Sequence, residues 1–537
     1  MVKNNYFLST YNQSLVYLYF VAIFLVCWLK IEDYGVTLDD ELYYRNGVNS
    51  YEYIKNFFLS LFNNEINLFE YKSKVKEWPI VFELFLVFIC NIFNINQIEE
   101  IYLASHRINF IIFFLSIIFF YKLIKKRFEN NLISIVAVSF IILSPRIFAE
   151  SFYNSRDIFF MSLFIFYTYS GYNFLANKNL SNTILFAFFT ALLINAKILG
   201  LIPFAIFCTL YLYNYLHTKK KLIKNIKNIL LYLTFSLFFI YILWPFLWSD
   251  PLNNLLFAFK NILKDHEDII IINKYFGDFI PSDMMPWHYR LVWFSITTPI
   301  SILLLFIGGL ILAIKNKFQL LSKSLDNNFQ LKEKQFIDLF LLLVFIGSFF
   351  IVLEFNKSKF GGWRHLYFLY PITVYFSIYF INFLFKSILK IHYKVIILSF
   401  VTFNLGYNLF WLVNNHPYQY IFFNSLVKKY TMENFDLDWW GVSHKSSIRY
   451  ILDNDKSSKI KIYAIGFTSL RNSYLYLSEK DKSRIIISDY KNSKYIIDTK
   501  MKRIRVNYNL DKNKNFKLFY QLKIESYPIS SIYKRNN

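Results

Sequence analysis

Cysteine, glycine and proline are scarce in this chain of 537 residues, which contains 3, 13 and 11 of them. The cysteines, Cys27, Cys90 and Cys208, lie apart from one another inside hydrophobic runs, and the polar C-terminal part has none. This pattern excludes a disulfide framework and a metal site built from closely spaced cysteines. The C-terminal part also lacks a glycine-rich phosphate loop, paired histidines and a nucleophile motif, so it gives no indication of a second active site.

Acidic residues are few as well, with 36 Asp and Glu against 59 Lys and Arg and a formal net charge of +23. Such a charge is typical of nucleic-acid binding, but here the lysines cluster between apolar runs of about 17 to 22 residues, the length that spans a bilayer. Hydrophobic residues make up 55% of the chain, and the mean hydropathy is +0.33. The sequence therefore predicts a polytopic membrane protein with no nucleic-acid partner.

Eleven apolar runs are predicted to span the membrane as helices. They cover residues 14–30, 107–121, 131–148, 158–176, 181–197, 200–216, 228–247, 291–314, 336–355, 364–385 and 393–414. The first run ends in Trp28 and Lys30 and has no small-residue cleavage site, which favours a retained anchor over a removed signal peptide. The expected fold is a polytopic α-helical membrane protein with about eleven transmembrane helices and additional juxtamembrane helices.

One further apolar run, residues 79–95, decides the topology. The basic loop from Lys122 to Arg127 should be cytoplasmic, whereas the acidic stretch 31–78 should lie outside. Both expectations hold only if residues 79–95 do not cross, so we interpret them as a juxtamembrane or half-inserted helix. The N-terminus is then cytoplasmic and the C-terminal domain is extracytoplasmic.

From about residue 416 the pattern changes to short β-branched runs between polar stretches, which is typical of strands. Examples are KIKIYAIG from Lys459 and RIIISD from Arg484. We therefore divide the chain into a transmembrane catalytic domain, residues 1–415, and a small α/β domain, residues 416–537. A supporting or acceptor-binding role is expected for the second domain.

Candidate site residues fall in the loops that this topology places on the outer face. Asp39, Asp40 and Glu41 follow the first helix, where three acids also fit the start of a solvated helix with a favourable dipole. The next outer loop holds Arg146, Glu150, Arg156 and Asp157 at a helix mouth. Ionisable groups at that depth are costly unless they face a cavity, so a functional site is indicated.

Further outer residues carry positive charge or a titratable ring. Lys197 near a helix end is either a snorkelling lysine or a cation for a lipid phosphate. His288 lies in a PWHY stretch that an interfacial tryptophan belt also explains. Arg364 and His365 open a helix beside two glycines, which let a ligand approach the backbone closely.

The order of these motifs resembles membrane glycosyltransferases of the GT-C class, and is most similar to family 39, the branch of protein O-mannosyltransferases and aminoarabinose transferases. The residues concerned are the acidic pair after the first helix, SPRIFAESFYNSRD, AKILGLIP, PWHY and GWRHLYFLYP. The resemblance covers residues 1 to about 415. FDLDWWGVS, residues 435–443, is like a segment that follows the last helix in some bacterial relatives.

The resemblance implies a polyprenyl-phosphate sugar donor, an inverting transfer and an acidic base in the first outer loop. Asp40 matches the base, Glu41 its neighbour and Asp157 the acid of the second loop. Asp39, Arg146, Glu150, Lys197, His288, Arg364 and His365 are the candidates for substrate binding. Glu77, Trp78 and Pro79 stand where relatives often have a histidine before proline, so any role of that histidine does not carry over.

No cofactor is required by this chemistry, although a divalent metal that bridges the acids and the phosphate is possible. The acceptor hydroxyl is expected on a lipid, glycan or protein, in the plasma (inner) membrane. Two other functions fit a polytopic protein: a transporter or lipid flippase, which should show mid-bilayer charges and internal repeats, and a non-catalytic assembly factor. The sequence shows no internal repeat and gathers its charges on one face.

Overall fold

The computed structural model describes the whole chain except residues 1, 63–79, 217–221, 265–269, 324–330, 356–358, 388–389, 428–431, 466–469, 500–509, 511–512 and 537. Glu77, Trp78 and Pro79 therefore lie outside the described residues. The described residues form nineteen α-helices and seven β-strands. The helices of the N-terminal half are α1 Val2–Trp28, α2 Asp40–Phe62, α3 Val81–Ile92, α4 Ile98–Phe128, α5 Asn131–Ile142, α6 Pro145–Tyr153, α7 Asp157–Ala176, α8 Leu180–Ala196, α9 Leu201–Leu216, α10 Leu222–Leu243 and α11 Pro251–Lys264.

The second half adds shorter helices and all of the strands. The helices are α12 Tyr289–Thr297, α13 Ile300–Lys323, α14 Glu333–Phe355, α15 Tyr370–Ser387, α16 Ile391–Asn414, α17 His444–Asn454, α18 Leu470–Leu475 and α19 Glu479–Lys482. The strands are β1 Ile272–Tyr275, β2 Asp278–Pro281, β3 Ile460–Ile465, β4 Ile485–Ile487, β5 Tyr495–Asp498, β6 Phe516–Ile524 and β7 Tyr527–Arg535.

The predicted helical membrane architecture is confirmed, with a difference in the number of spans. Among the described residues, seven helices are long and apolar enough to cross a membrane, or up to nine if two bent helix pairs each count as one span. All eleven predicted runs are helical, but α8 and α9 are shorter apolar helices, and α5–α6 and α12–α13 are bent by 69° and 119°. Pro145 begins α6 and Pro299 precedes α13. A proline lacks the N–H that would continue a helix, which explains a break at each place.

Helix α3 covers the run that decides the topology. Its twelve residues, Val81–Ile92, extend only ~18 Å at the usual rise per residue, against the ~30 Å of a bilayer core. This length agrees with the expectation that residues 79–95 do not cross. The same helix packs against α2, where a side chain at Gly47 would meet the backbone carbonyl oxygen of Glu83 at 2.8 Å.

A buried ion pair joins three helices in the interior of the bundle. Arg127 of α4 donates from Nε and Nη2 to the two carboxylate oxygens of Asp338 in α14, at 2.7 and 2.8 Å. Tyr375 of α15 donates its hydroxyl hydrogen to the same carboxylate at 2.5 Å. A bidentate guanidinium with an added hydroxyl satisfies a carboxylate that is only 1% exposed, so the pair holds α4, α14 and α15 in one register.

The C-terminal part contains the predicted α/β domain. Its five-stranded sheet has the order β4-β3-β5-β7-β6. Strand β3 pairs in parallel with β4 and β5, whereas β7 pairs antiparallel with β5 and β6. Ile460, Ile462, Ile497 and Ile532 point into its own hydrophobic core together with residues of α17. The last membrane helix, α16, ends at Asn414, beside the domain boundary that we predict at residue 415.

Close packing of α13 on α15 depends on Gly309. A Cβ atom at this position would lie 1.9 Å from the carbonyl oxygen of Phe376, which is backbone and cannot turn away. We expect Gly309→Ala to lower the free energy of unfolding by about 1–3 kcal/mol, the usual cost of overpacking. Thermal unfolding of the purified protein in detergent measures this change.

Gly406 in α16 provides the matched control, because a Cβ atom there meets nothing within 4 Å. Gly406→Ala should raise stability slightly, by about 0.5–1 kcal/mol, since alanine loses less conformational freedom in a helix. Equal melting temperatures for the two variants would contradict the close helix contact at Gly309.

Candidate active site

The turn between α6 and α7 brings two acids, Glu150 and Asp157, close together. Asn154 lies between them and donates its side-chain N–H groups to Glu150 at 2.6 Å and to Asp157 at 3.0 Å. Its side-chain oxygen accepts the backbone N–H of Asp157 at 2.8 Å, at the start of α7. Asn154 is thus a site residue that the sequence analysis missed, although it stands inside the SPRIFAESFYNSRD motif.

Asp157 gathers three of the cationic or titratable candidates. Its side chain is 1% exposed and forms an ion pair with Lys197, which follows α8. Arg364 Nη1 lies 3.5 Å from the second carboxylate oxygen, and His365 Nδ1 lies 4.0 Å from the first. Residues from three separate segments therefore meet at one carboxylate.

Glu150 is bound just as completely. Tyr367 donates its hydroxyl hydrogen to Glu150 Oε1 at 2.6 Å, and Asn154 occupies Oε2. Both Glu150 and Tyr367 are buried. Tyr367 is a second missed residue, because a tyrosine in an aromatic-rich helix start gives no sign in the sequence that it binds a carboxylate.

Another missed acid, Glu83, connects this loop to α2. Arg156 Nη1 lies 3.4 Å from Glu83 Oε1, and the Arg156 guanidinium carbon lies 4.3 Å from the centre of the Tyr43 ring. Glu83 is 2% exposed in the apolar helix α3. A lone carboxylate in an apolar helix is costly unless it is paired. A single glutamate within an apolar run was therefore the sequence feature that could have identified Glu83.

The three acids Asp39, Asp40 and Glu41 have different partners. Asp40 begins α2, is half-buried, and accepts the backbone N–H of Thr37 at 2.7 Å. Asp39 Oδ2 lies 3.5 Å from the hydroxyl of Tyr43. Glu41 forms ion pairs with Arg45 of the next helical turn and with Arg471 of the C-terminal domain. Glu41 therefore lies at the contact between the two domains.

Burial controls the proton affinity of the two aspartates. It raises the pKa of Asp40 to about 7, an effect that the hydrogen bond from Thr37 opposes and the nearby charge of Asp39 reinforces. Burial also raises the pKa of Asp39, against the attraction of Arg364 and Arg156. The pKa of both carboxyl groups therefore lies above the usual range of an aspartate.

Arg146 and His288 are not among the residues that contact Asp157 in the described part of the chain. The guanidinium carbon of Arg146 lies 5.5 Å from the centre of the Trp293 ring, in a cavity that Glu150 and Arg364 also line. His288 Nδ1 pairs with the Tyr275 hydroxyl at 2.8 Å, at the start of α12. The contacts described for His288 thus connect it to the β1–β2 hairpin, whereas Arg146 belongs with the acids of its own loop.

The acidic residues and histidines of this site are candidate metal ligands because a divalent metal is compatible with the expected chemistry. Within the part of the chain that the structure describes, no group of three or more His, Cys, Asp or Glu side chains is arranged to hold a metal ion. The carboxylates of Asp157 and Glu150 are instead occupied by Lys197, Asn154 and Tyr367.

The C-terminal domain holds the backbone of the acidic loop. Asn472 of α18 is 2% exposed and donates to the carbonyl oxygens of Thr37 and Leu38, both at 2.8 Å. Lys445 of α17 donates to the carbonyl oxygen of Tyr34 at 3.2 Å. These bonds fix the main chain immediately before Asp39 and Asp40.

No protein-family model matches the chain, and no curated protein matches it significantly. It is similar to the solved structure of ArnT from Cupriavidus metallidurans in the apo state, with 10% identity, coverage of 97% of this chain and 98% of that chain, and a TM-score of 0.47. The same protein bound to undecaprenyl phosphate gives 10% identity, 96% and 97% coverage, and a TM-score of 0.44.

The oligosaccharyltransferase of Archaeoglobus fulgidus, in its complex with Zn and sulfate, is also similar, with 12% identity and a TM-score of 0.40. The match covers 79% of this chain and 59% of that one, so the chain spans about three fifths of its length. Identities this low assign no activity, so the function has to come from the residues themselves.

The hydrogen bonds from Asn472 should slow the opening of the backbone at residues 37–41. Asn472→Ala removes the donor to the buried carbonyl oxygen of Thr37 and to the partly buried one of Leu38, a loss of about 1–3 kcal/mol. We expect the amides of residues 37–41 to exchange with solvent deuterium about tenfold faster or more in this variant. Hydrogen exchange followed by mass spectrometry measures it.

Asn454→Ala serves as the control, because Asn454 is exposed and bonds only locally, to the carbonyl oxygen of Tyr450. Unchanged exchange at residues 37–41 in Asn472→Ala would mean that the C-terminal domain does not hold the loop.

Proposed function

We propose that this protein is a membrane glycosyltransferase that moves a sugar from a polyprenyl-phosphate-linked donor to an acceptor hydroxyl at the outer face of the membrane. The observation that supports this most is the meeting of Lys197, Arg364 and His365 at the buried carboxylate of Asp157. Arg364 and Asp157 are also electrostatic neighbours of Asp39, at the start of α2. Cations suit an anionic leaving group, and a carboxylate with a raised pKa suits proton abstraction.

The cationic part of the site would act on the leaving group. A lipid phosphate gains negative charge as its bond to the sugar breaks, so it needs fixed positive charge more than it needs a proton donor. Lys197 and Arg364 supply that charge, with His365 beside them. Asp157 holds two of these cations and is itself neutralised by them, so we assign it a positioning role, and not that of the base.

Asp40 is the base in this proposal. Its hydrogen bond comes from a backbone N–H, and its pKa of about 7 matches the pH at which a general base works best. The acceptor O–H gives its proton to Asp40, and the acceptor oxygen forms a bond to the anomeric carbon. The bond from that carbon to the phosphate oxygen breaks, and the phosphate leaves with the electron pair. A single direct displacement inverts the anomeric centre.

The other acids of the first loop take supporting roles. Asp39, whose electrostatic environment includes Arg364 and Arg156, contributes to substrate binding. Glu41 joins the base-bearing loop to Arg471 of the C-terminal domain. The orientation that we propose places the N-terminus in the cytoplasm and the C-terminal domain outside, so that both domains meet on the outer face.

Asp40→Asn tests the proposed base. The amide retains the size and the hydrogen bond of the carboxylate but cannot accept a proton, so we expect transfer to fall by about 100-fold to 10,000-fold. The measurement is transfer of radiolabelled sugar by the purified protein in liposomes, from a panel of polyprenyl-phosphate-linked sugars. Asp453→Asn, at an exposed position in α17, is the matched control.

Size-exclusion chromatography and thermal unfolding would verify that both variants are folded. Near-normal transfer by Asp40→Asn would remove Asp40 from the mechanism. The absence of any transfer by the wild-type protein, from every donor of the panel, would count against the glycosyltransferase itself.

The pKa of Asp40 also predicts a pH dependence. A base must be deprotonated to act, so kcat/KM should rise with pH through about 7 and level off above it. Asp39→Asn removes a negative charge that raises the pKa of Asp40, so it should move this limb to lower pH. A profile that is flat between pH 6 and 8, or a limb that Asp39→Asn leaves in place, would contradict the assignment.

A further inference from the structure

A cavity lies between the membrane domain and the segment FDLDWWGVS, residues 435–443, which follows α16. The membrane domain contributes Arg146, Glu150, Trp293 and Arg364 to its walls, and the segment contributes Asp436 and Trp440. The sequence analysis assigned no function to this segment. Its position over two candidate substrate-binding arginines makes it part of an outer-face site.

The cavity is lined by buried donors that have no hydrogen-bond partner among the residues that the structure describes. These are Nε and Nη2 of Arg146, Nε of Arg364 and Nε1 of Trp293. Arg364 is 9% exposed and Trp293 is 2% exposed. An unsatisfied buried donor costs free energy, and a charged one costs more, so a cluster of them on one cavity indicates a ligand rich in acceptor atoms.

The acid on the opposite wall complements these donors. Asp436 Oδ1 accepts the backbone N–H of Lys274 at 3.1 Å, whereas Oδ2 is buried without a partner. Burial raises the pKa of Asp436 to about 7, so this oxygen can accept a hydrogen bond from a hydroxyl or donate one. Glu150, the other carboxylate of the cavity, is already occupied by Tyr367 and Asn154.

Asp438, two residues after Asp436, differs from it because both of its carboxylate oxygens are hydrogen-bonded within the protein. Its oxygens accept from the Tyr420 hydroxyl at 3.0 Å, from the Val442 and Ser443 backbone at 3.1 and 3.0 Å, and from the Ser443 hydroxyl at 2.5 Å. Every accepting position of Asp438 is therefore used inside the protein. Asp436, in the same motif, has one carboxylate oxygen, Oδ2, that is left to bind a ligand.

Aromatic rings and a glycine shape the cavity. Trp440 lies against Arg364, with 4.4 Å from its ring centre to the guanidinium carbon, and Trp293 lies against Arg146 at 5.5 Å. These contacts hold both guanidinium groups in place. Gly361 has a φ of +65°, and a Cβ atom there would lie 2.6 Å from Arg364 Nε. Glycine thus leaves the free nitrogen of Arg364 open.

We propose that this cavity binds a sugar that carries an oxyanion, with Arg146, Arg364 and Trp293 donating to the anion and Asp436 bonding a sugar hydroxyl. Flat aromatic walls and a few convergent polar groups are typical of such sites. This proposal rests on the proposed function and adds a binding site to it. An oxyanion attached to a sugar occurs both in the sugar phosphate of a lipid donor and in an acceptor that contains an anionic sugar.

Binding by the full-length protein in detergent tests the proposal without any transfer step. The probes are glucose 1-phosphate, inorganic phosphate and glucose, titrated by calorimetry. Glucose 1-phosphate should bind more tightly than either of the others. Asp436→Asn retains the bond from Lys274 and removes the acid, and Arg146→Gln removes a free guanidinium. Each should weaken binding of glucose 1-phosphate by about tenfold or more.

Arg107→Gln is the control, since Arg107 pairs with Glu32 outside the cavity and should not affect binding. Competition with farnesyl phosphate identifies the source of the ligand: displacement of glucose 1-phosphate indicates the lipid donor, and simultaneous binding indicates a separate anionic sugar. The proposal is overturned if glucose 1-phosphate does not bind saturably, if it binds no more tightly than phosphate or glucose, or if both variants bind like the wild type. Binding without transfer would instead contradict only the proposed function.

Discussion

The buried carboxylate of Asp157 is the constraint on which the candidate site depends. A charge that is 1% exposed is costly unless it is paired, and this one is paired with Lys197 and approached by Arg364 and His365. The partners come from the end of α8 and from the segment before α15. One acid therefore fixes the relative position of three segments that are far apart in the chain.

The C-terminal domain completes the site from the other side. Asn472 and Lys445 hold the backbone that leads to Asp39 and Asp40, and Arg471 pairs with Glu41. The membrane domain supplies most of the charges, whereas residues after 415 position the acidic loop and cover the cavity. The supporting role expected for the C-terminal domain stays a prediction, and these contacts are the ones through which it would act.

Sequence patterns predicted the helices well, because each buried or spanning helix needs a long apolar run, and all eleven runs are helical. Hydropathy counts apolar residues but does not register the bends at Pro145 and Pro299, so two bent helix pairs were predicted as single straight runs. The candidate cations and acids of the second loop were found because charges at helix mouths stand out against apolar neighbours.

Contacts between segments that are distant in the chain have no local signal in the sequence. Asn472 bonds carbonyl groups 435 and 434 residues away, and neither partner has a side chain that reveals the contact. Asp436 and Asp438 look equivalent in FDLDWWGVS, yet only the structure distinguishes the acid that is fully bonded from the one that is not. Hydrogen-bond satisfaction depends on three-dimensional neighbours, so composition and periodicity cannot report it.

Arg364 connects the two halves of the site physically. Its Nη1 faces Asp157, while its Nε faces the cavity under residues 435–443. In the proposed reaction, Asp157 already neutralises part of the charge on Lys197 and Arg364, so a singly charged phosphodiester is held only moderately. The departing phosphate carries more negative charge and gains more from the same cations. Interactions that strengthen as the bond breaks lower the barrier, whereas equally tight binding of the donor would not.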